Sequence, residues 1–454
     1  MSLRNPIRLL RSKFLQDTAT LQLSAMLNQA SQLFSSVVIA FLLGAHGQGL
    51  FFLAISLQAL FYNLVNVGVV QATITQVAAA SVRDSRVKVA GWLAFLVKSY
   101  LVFSALMIGL GWLVLPLLSE WWYTAKVGAE QARELGQWAW WLTFWPLIDT
   151  PRAVAQVAFQ GTRRMLRLGQ LDNGTELIRV VTVTAGALVS GTAEGAVLGE
   201  IASRILGSYL AADLYHAARS DEAGWLPSLR EVFRQAPDIP LLSGIRLGLR
   251  VGLLKNGNTL FMEVFPGLIL GGVAGASWVA YFRVASKIMG LPMMMLQGVT
   301  RTVLPALSEL RGLRDLRRFR ELYGRTAALS GALIGGGMLL MLPLIPPVVG
   351  AFWPSDFRDP VFTYSWILAL GMIPSAFAVG LDAFYILTDQ MKASLAITAV
   401  GALITIPANV VLIVLLPETG AAWGLSLYRS WVLFHFAYVA WYFRHRAEGG
   451  HWDR

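Results

Sequence analysis

Arg283 and Lys287 stand four residues apart in the apolar run SWVAYFRVASKIMGLPMMMLQG, flanked by Tyr281 and Ser277. On a helix that spacing puts both cations on one face. Charge at membrane depth is costly, and such residues face a bundle interior or an aqueous cavity. The pair reads as a cationic wall for an anionic headgroup. The structural alternative is pairing with Glu263, or both side chains reaching to an interface. The preceding run adds Arg246, Arg250 and Lys255, followed by Asn256 and Asn258. Arg246 and Arg250 also suit simple anchoring, whereas Lys255 lies deeper. Such a stripe suits phosphate, since an ammonium offers a point charge and a guanidinium a bidentate donor set.

Uncharged amides gather near the start of the chain. The first apolar run carries Asn28, Gln29 and Gln32, and the second carries Asn63, Asn66 and Gln71. They could bind a hydroxylated sugar or hold helices together. Asp382 is the one strong acid deep in the last three runs. It is a candidate site for proton or sodium coupling, or the partner of a base such as Lys287. Asp149 with Arg152, and Glu176 with Arg179, are spaced i, i+3 and read as local ion pairs. Lys98 and Arg204 belong to a lumen or a charged interface.

The elements that must position these residues are membrane helices. Twelve apolar runs fall at roughly 21–43, 50–76, 91–118, 135–159, 172–190, 194–215, 241–269, 274–305, 322–350, 361–386, 393–416 and 420–443. Each is long enough as helix to cross about 30 Å of hydrocarbon. The turns between them carry breakers such as GAHGQG, SGTAEG, LGGVAG, FWPSDFRDP and LPETG. Ser119 to Glu134 reads as the one substantial exterior loop with basic residues.

Composition agrees. Of 454 residues, 56% are hydrophobic and 14% charged, and the mean hydropathy is +0.58. Soluble domains run nearer one quarter charged. The net charge of +11 sits in five clusters, at Arg4–Lys13, Arg83–Lys88, Arg163–Arg167, Arg219–Arg234 and Arg311–Arg320. All five fall on one side of an even number of crossings, so both termini are expected in the cytoplasm. That topology explains the charge without nucleic acid. The basic N-terminus is expected to lead straight into the first span, with no cleaved signal. Cysteine is absent, which excludes disulfides and thiolate metal sites, and the five histidines show no ligand spacing.

The chain reads as a duplication. LLGAHGQGLFFLA after the first run matches LILGGVAGASWVAYFRVA after the seventh, with Gly44 and Gly271 227 residues apart. EGAVLGEIASR and TGAAWGLSLYRS match near the end of each half, pairing Gly195 with Gly420 and Gly199 with Gly424. The expected architecture is all-α and polytopic, with about 12 transmembrane helices in two six-helix lobes related by pseudo-two-fold symmetry around a central cleft. The expected divisions are an N-terminal lobe over 1–217, a cytoplasmic connector over 218–240, and a C-terminal lobe with a cytoplasmic tail over 241–454. The segment around RGLRDLRRFRELYGR reads as an interfacial helix against anionic lipid headgroups. No Walker A sequence, dinucleotide fingerprint, zincin motif or catalytic constellation is present, so neither ATP-driven transport nor enzymatic activity is expected of this chain.

Two stretches carry a family resemblance over about Leu15 to Arg444. LSAMLNQASQLFSSVVIAFLLGAHGQGLFFLAISLQALFYNLVNVGVVQATITQVAA, with Gly44, Gly49 and Gly68, resembles the start of polysaccharide or O-antigen flippases. These belong to the multidrug/oligosaccharidyl-lipid/polysaccharide exporter (MOP) superfamily. GASWVAYFRVASKIMGLPMMMLQGVTRTVLPALSEL, with Gly275, Tyr281, Ala285, Pro305 and Leu310, resembles the corresponding repeat. The resemblance implies a transporter of lipopolysaccharide biosynthesis in the bacterial inner membrane. It would flip an undecaprenyl-diphosphate-linked oligosaccharide, or a related lipid-linked glycan, by alternating access. Arg283, Lys287, Lys255, Arg250, Asn28 and Asn66 are then the candidate lumen residues and Asp382 the coupling-ion candidate. No cofactor or metal is implied beyond a proton or sodium gradient. A polysaccharide polymerase and glycosyltransferases are the implied partners, besides anionic membrane lipids. A multidrug or metabolite antiporter of the same superfamily, and a non-transport subunit of a polysaccharide secretion complex, are the alternatives.

Overall fold

The computed structural model describes residues 13–65, 68–83, 85–221, 225–241, 245, 264–294, 303, 307–308, 310–311, 313 and 315–447. Arg250, Lys255 and Asn66 lie outside them, as does Glu263. Among the described residues the chain is helical throughout, with no strand. That is what a lipid solvent demands, because a helix satisfies its own backbone polar groups.

The N-terminal helix α1 spans Lys13–Val65 and breaks once, at Gly44, where φ is 65°. The expected GAHGQG turn is therefore a kink of a single residue. After Gly68, in the left-handed conformation, follow α2 (Val69–Val82) and α3 (Arg86–Val127). The sequence reading of Ser119 to Glu134 as a loop needs correction. Here α3 runs on to Val127, the chain reverses at Gly128 with φ 89°, and α4 (Ala129–Leu142) starts at once. Glycine alone adopts that backbone conformation readily. The hairpin is closed by Ser119 Oγ donating to the Ala132 carbonyl and by an Arg133–Glu120 ion pair at 2.8 Å.

Next come α5 (Trp145–Ile148), α6 (Thr150–Gly161), α7 (Met165–Ser190) and α8 (Ala193–Asp221). Then α9 (Leu229–Gln235) packs back on α3. Leu226, Val232 and Ala236 join Val89, Leu93 and Val97 in one buried core. Lys98 on α3 donates to the carbonyls of Pro237 and Ile239 at 2.6 and 2.8 Å. Arg86 reaches Glu231 at 2.6 Å. The stretch read as a connector is thus tied to α3.

After α10 (Phe265–Val273), Gly275 turns the chain with φ 100° into α11 (Ala276–Met294). The remaining helices are α12 (Leu316–Met341), α13 (Ile345–Phe352), α14 (Arg358–Ala376), α15 (Leu381–Leu387), α16 (Met391–Leu415), α17 (Gly420–Ser430) and α18 (Val432–Ala447). Two compact units result, residues 1–280 and 281–454.

The matched glycines do matching work. A Cβ on Gly199 would lie 2.3 Å from the Thr182 carbonyl oxygen, so α7 and α8 touch through backbone. A Cβ on Gly420 would lie 2.1 Å from the Leu412 carbonyl oxygen, and one on Gly424 would strike Asn409, at the α16–α17 contact. Small residues at such crossings are how membrane helices gain packing. Five described spans are apolar enough to cross a bilayer on composition alone: Gln22–Asn63, Arg86–Val127, Leu316–Phe352, Ser355–Leu387 and Met391–Leu415. Helices α7 and α8 are long as well, but they carry buried charges.

Candidate functional site

Those charges form a ladder between α7 and α8. Arg179 lies 2.7 Å from Glu176 on its own helix and 3.5 Å from Glu200 on α8. Glu200 is only 2% exposed and also pairs with Arg204 at 2.5 Å, one turn further on. Two acids and two bases thereby cancel inside the lobe. The close α7–α8 approach set by Gly199 is what lets the side chains span the gap. The Arg204 guanidinium lies over the Trp145 ring, with its carbon 3.3 Å from the centroid. A desolvated cation–π contact of this kind is worth up to about 2 kcal/mol.

Trp145 also lines a cavity of about 360 Å³. That lies near the lower bound of ligand pockets, roughly 300–1,000 Å³. Helices α1, α2, α3 and α6 supply its polar walls: Gln58 and Asn63, Gln71, Tyr100, and Arg152 with Gln156. Asp149, just before α6, is held by Arg152 Nε at 3.0 and 3.1 Å from its two oxygens. The Arg152 Nη groups make no hydrogen bond to any described residue, and neither do the side-chain amides of Gln58, Gln71 and Gln156. Tyr62 and Tyr100 meet hydroxyl to hydroxyl at 3.3 Å. Asn63 donates to the Ala59 carbonyl one turn back. The cavity therefore offers amide donors and acceptors, phenols and a guanidinium edge around a carboxylate that is already neutralised. Amides and phenols match sugar hydroxyls, which both donate and accept. Guanidinium N–H groups match phosphate oxygens.

Asp172 near the start of α7 is half-buried and lies in the field of Arg152, with no ion pair to a described residue.

The expected local pairs Asp149–Arg152 and Glu176–Arg179 both form. Asn63 and Gln71 meet in the cavity. Asn28 is half-buried on α1 and does not line it. Arg283 and Lys287 sit half-buried on one face of α11, in the second unit, where Tyr281 donates to Asp356 at 3.1 Å and packs edgewise on Phe357. Asp382 is exposed in the first turn of α15, within electrostatic range of His435. Sequence reasoning missed Gln58, Tyr62, Tyr100, Gln156, Trp145 and Glu200. The amides had one usable signal, since Gln58 and Tyr62 are four residues apart on the face that also carries Ile55 and Ala59.

Neither a protein-family model nor a curated protein matches this sequence. Solved structures do match. The lipid II flippase MurJ, in an inward closed conformation, superimposes with a TM-score of 0.70 at 13% identity, over 92% of this chain and 87% of that one. A multidrug resistance MATE family transporter of the MOP superfamily, inward-facing, gives 0.65 at 16%, over 93% and 95%. A MOP superfamily transporter from Pyrococcus furiosus, described as having a binding pocket of reversed polarity, gives 0.62 at 16%, over 96% and 98%. At these identities the likeness is one of fold. The chain has the all-α, polytopic membrane fold of these structures, with about twelve transmembrane helices in two lobes.

Proposed function

We propose that this chain is a transporter that moves an anionic, lipid-linked glycan across a bacterial inner membrane by alternating access. The observation that carries the reading is the cavity of the first unit. The unengaged amides of Gln58, Gln71 and Gln156 and the Nη edge of Arg152 face one space of about 360 Å³. Their polar atoms open onto that space, and a ligand rich in hydroxyls and phosphate oxygens matches their donors and acceptors. The carboxylates nearby support the same reading. Asp149, Glu176 and Glu200 are all paired with arginine, which leaves them poor sites for an organic cation. Arg283 and Lys287, on one face of α11, are the proposed contacts of a diphosphate, and Lys255 and Arg250 join them on the strength of the sequence alone. In this reading the substrate is an undecaprenyl-diphosphate oligosaccharide of the O-antigen kind, supplied by glycosyltransferases and passed to a polymerase. Both termini then lie in the cytoplasm, on the side of the basic clusters.

A second reading has one observation in its favour. Asp172 is a half-buried acid without an ion pair among the described residues. It suits coupling to a proton or sodium gradient, and the same group would serve a multidrug or metabolite antiporter.

The test is transport in vesicles of the purified chain, using a fluorescent prenyl-diphosphate glycan read by a membrane-impermeant quencher. The wild type is expected to move the probe between leaflets. The double variant Asp149→Asn/Arg152→Gln removes both members of the pair together, and its rate is expected to fall at least tenfold. Absence of movement by a folded wild type, or an unchanged rate in the double variant, overturns the proposal.

A further inference from the structure

The second unit holds a larger cavity with a different chemistry. An apolar groove of about 740 Å³ runs between α12, α14 and α18. Its walls include Phe377, Leu433, Phe436 and Phe443, and two arginines, Arg320 and Arg444, close one end. Room exists because α12 presents small residues there. A Cβ on Gly324 would meet nothing within 4 Å, and Ala327 and Ala328 follow on the same face. On the far wall Pro374 lies inside α14 and the helix ends at Ala376, which turns Phe377 into the groove.

Three arginines near Arg320 are engaged elsewhere. Arg311 is paired with Asp389, Arg317 with Glu321 and Arg318 with Asp315. Arg320 and Arg444 have no hydrogen bond or ion pair among the described residues, and both are exposed.

Length selects the occupant. From Arg444 to Leu433 the groove follows α18 for about 16 Å of helix rise. That is close to half of a hydrocarbon core of about 30 Å, the depth of one leaflet. Basic residues at one end and a leaflet-deep apolar wall are the two halves of a phospholipid site. A long polyprenyl chain would overrun it.

We infer that this groove binds one anionic phospholipid, with its phosphate between Arg320 and Arg444 and an acyl chain against Phe377, Phe436 and Phe443. The site is separate from the polar cavity of the first unit and does not depend on what that cavity transports.

Native mass spectrometry of the purified full chain, titrated with phosphatidylglycerol or phosphatidylcholine, tests it. The wild type is expected to retain one phosphatidylglycerol at least fivefold better than phosphatidylcholine. Arg320→Ala/Arg444→Ala is expected to abolish that preference. Ala328→Trp fills the groove from an exposed position and is expected to lower retention of both lipids. Arg317→Ala/Arg318→Ala removes two cations that are already paired, and is expected to leave the preference intact. An unchanged preference in the Arg320/Arg444 variant overturns the site, as does an equal loss in the Arg317/Arg318 variant, which would mark diffuse attraction. Displacement of the retained lipid by an equimolar polyprenyl phosphate overturns the choice of occupant.

Discussion

Arg204 lies over Trp145 with its guanidinium carbon 3.3 Å from the indole centroid, and the same guanidinium is paired with Glu200. Trp145 is also a wall of the polar cavity. One aromatic ring thus touches both the ion-pair ladder of α7 and α8 and the space where ligand groups would bind.

Glu200 is the keystone of that ladder, since it meets arginines from two helices while 2% exposed. Removing one member of a buried pair leaves an uncompensated charge, at about 3–5 kcal/mol. Glu200→Ala is expected to lower the midpoint of thermal unfolding in detergent markedly. Glu200→Gln should lose less, because the amide still accepts a hydrogen bond from Arg204. Equal midpoints for wild type and Glu200→Ala would show that the ladder is dispensable.

The glycine contacts separate packing from flexibility. Gly199→Val would drive side-chain atoms into the Thr182 carbonyl, and overpacking of this kind costs roughly 1–3 kcal/mol or more. Gly109→Ala on α3 meets nothing within 4 Å, and alanine favours a helix by up to about 1 kcal/mol. Unfolding midpoints are expected to fall for the first variant and to hold or rise for the second.

Lys98 fastens the segment after α8 through two carbonyls. Lys98→Met keeps the length of the side chain and removes its donors. Hydrogen exchange is expected to quicken over residues 225–239 and to stay unchanged in α7. Protection equal to the wild type would mean that the apolar contacts of Leu226 and Val232 suffice.

Asp172 gives the coupling reading its own test. Asp172→Asn is expected to abolish acceleration of transport by an imposed proton or sodium gradient, while exchange without a gradient persists. Loss of both together would place Asp172 in the substrate path instead.

Much of the fold was legible because a bilayer writes itself into composition, and one-sided arginine clusters alternate with apolar runs. Local pairs were legible too: Asp149–Arg152 and Glu176–Arg179 follow from i, i+3 spacing alone. Contacts between helices were not. Glu200 reaches Arg179 across the α7–α8 interface, and no spacing rule connects residues 179 and 200. The helical path through Ser119–Val127 was hidden by its polar residues, of which Ser119 and Glu120 are engaged across the hairpin. The cavity draws its amides from three helices and a phenol from a fourth, so it exists only once those helices pack. Arg283 and Lys287 do share a face of α11, as their spacing requires.

The central claim is that the polar cavity recognises the sugar portion of a lipid-linked substrate. The most direct measurement compares initial rates of leaflet exchange for a prenyl-diphosphate glycan and for the same prenyl diphosphate without sugar, in vesicles of the full chain. The wild type is predicted to move the glycosylated lipid several-fold faster, and Gln58→Leu/Gln71→Leu/Gln156→Leu is predicted to erase that difference. Equal rates for the two lipids in the wild type would contradict the account.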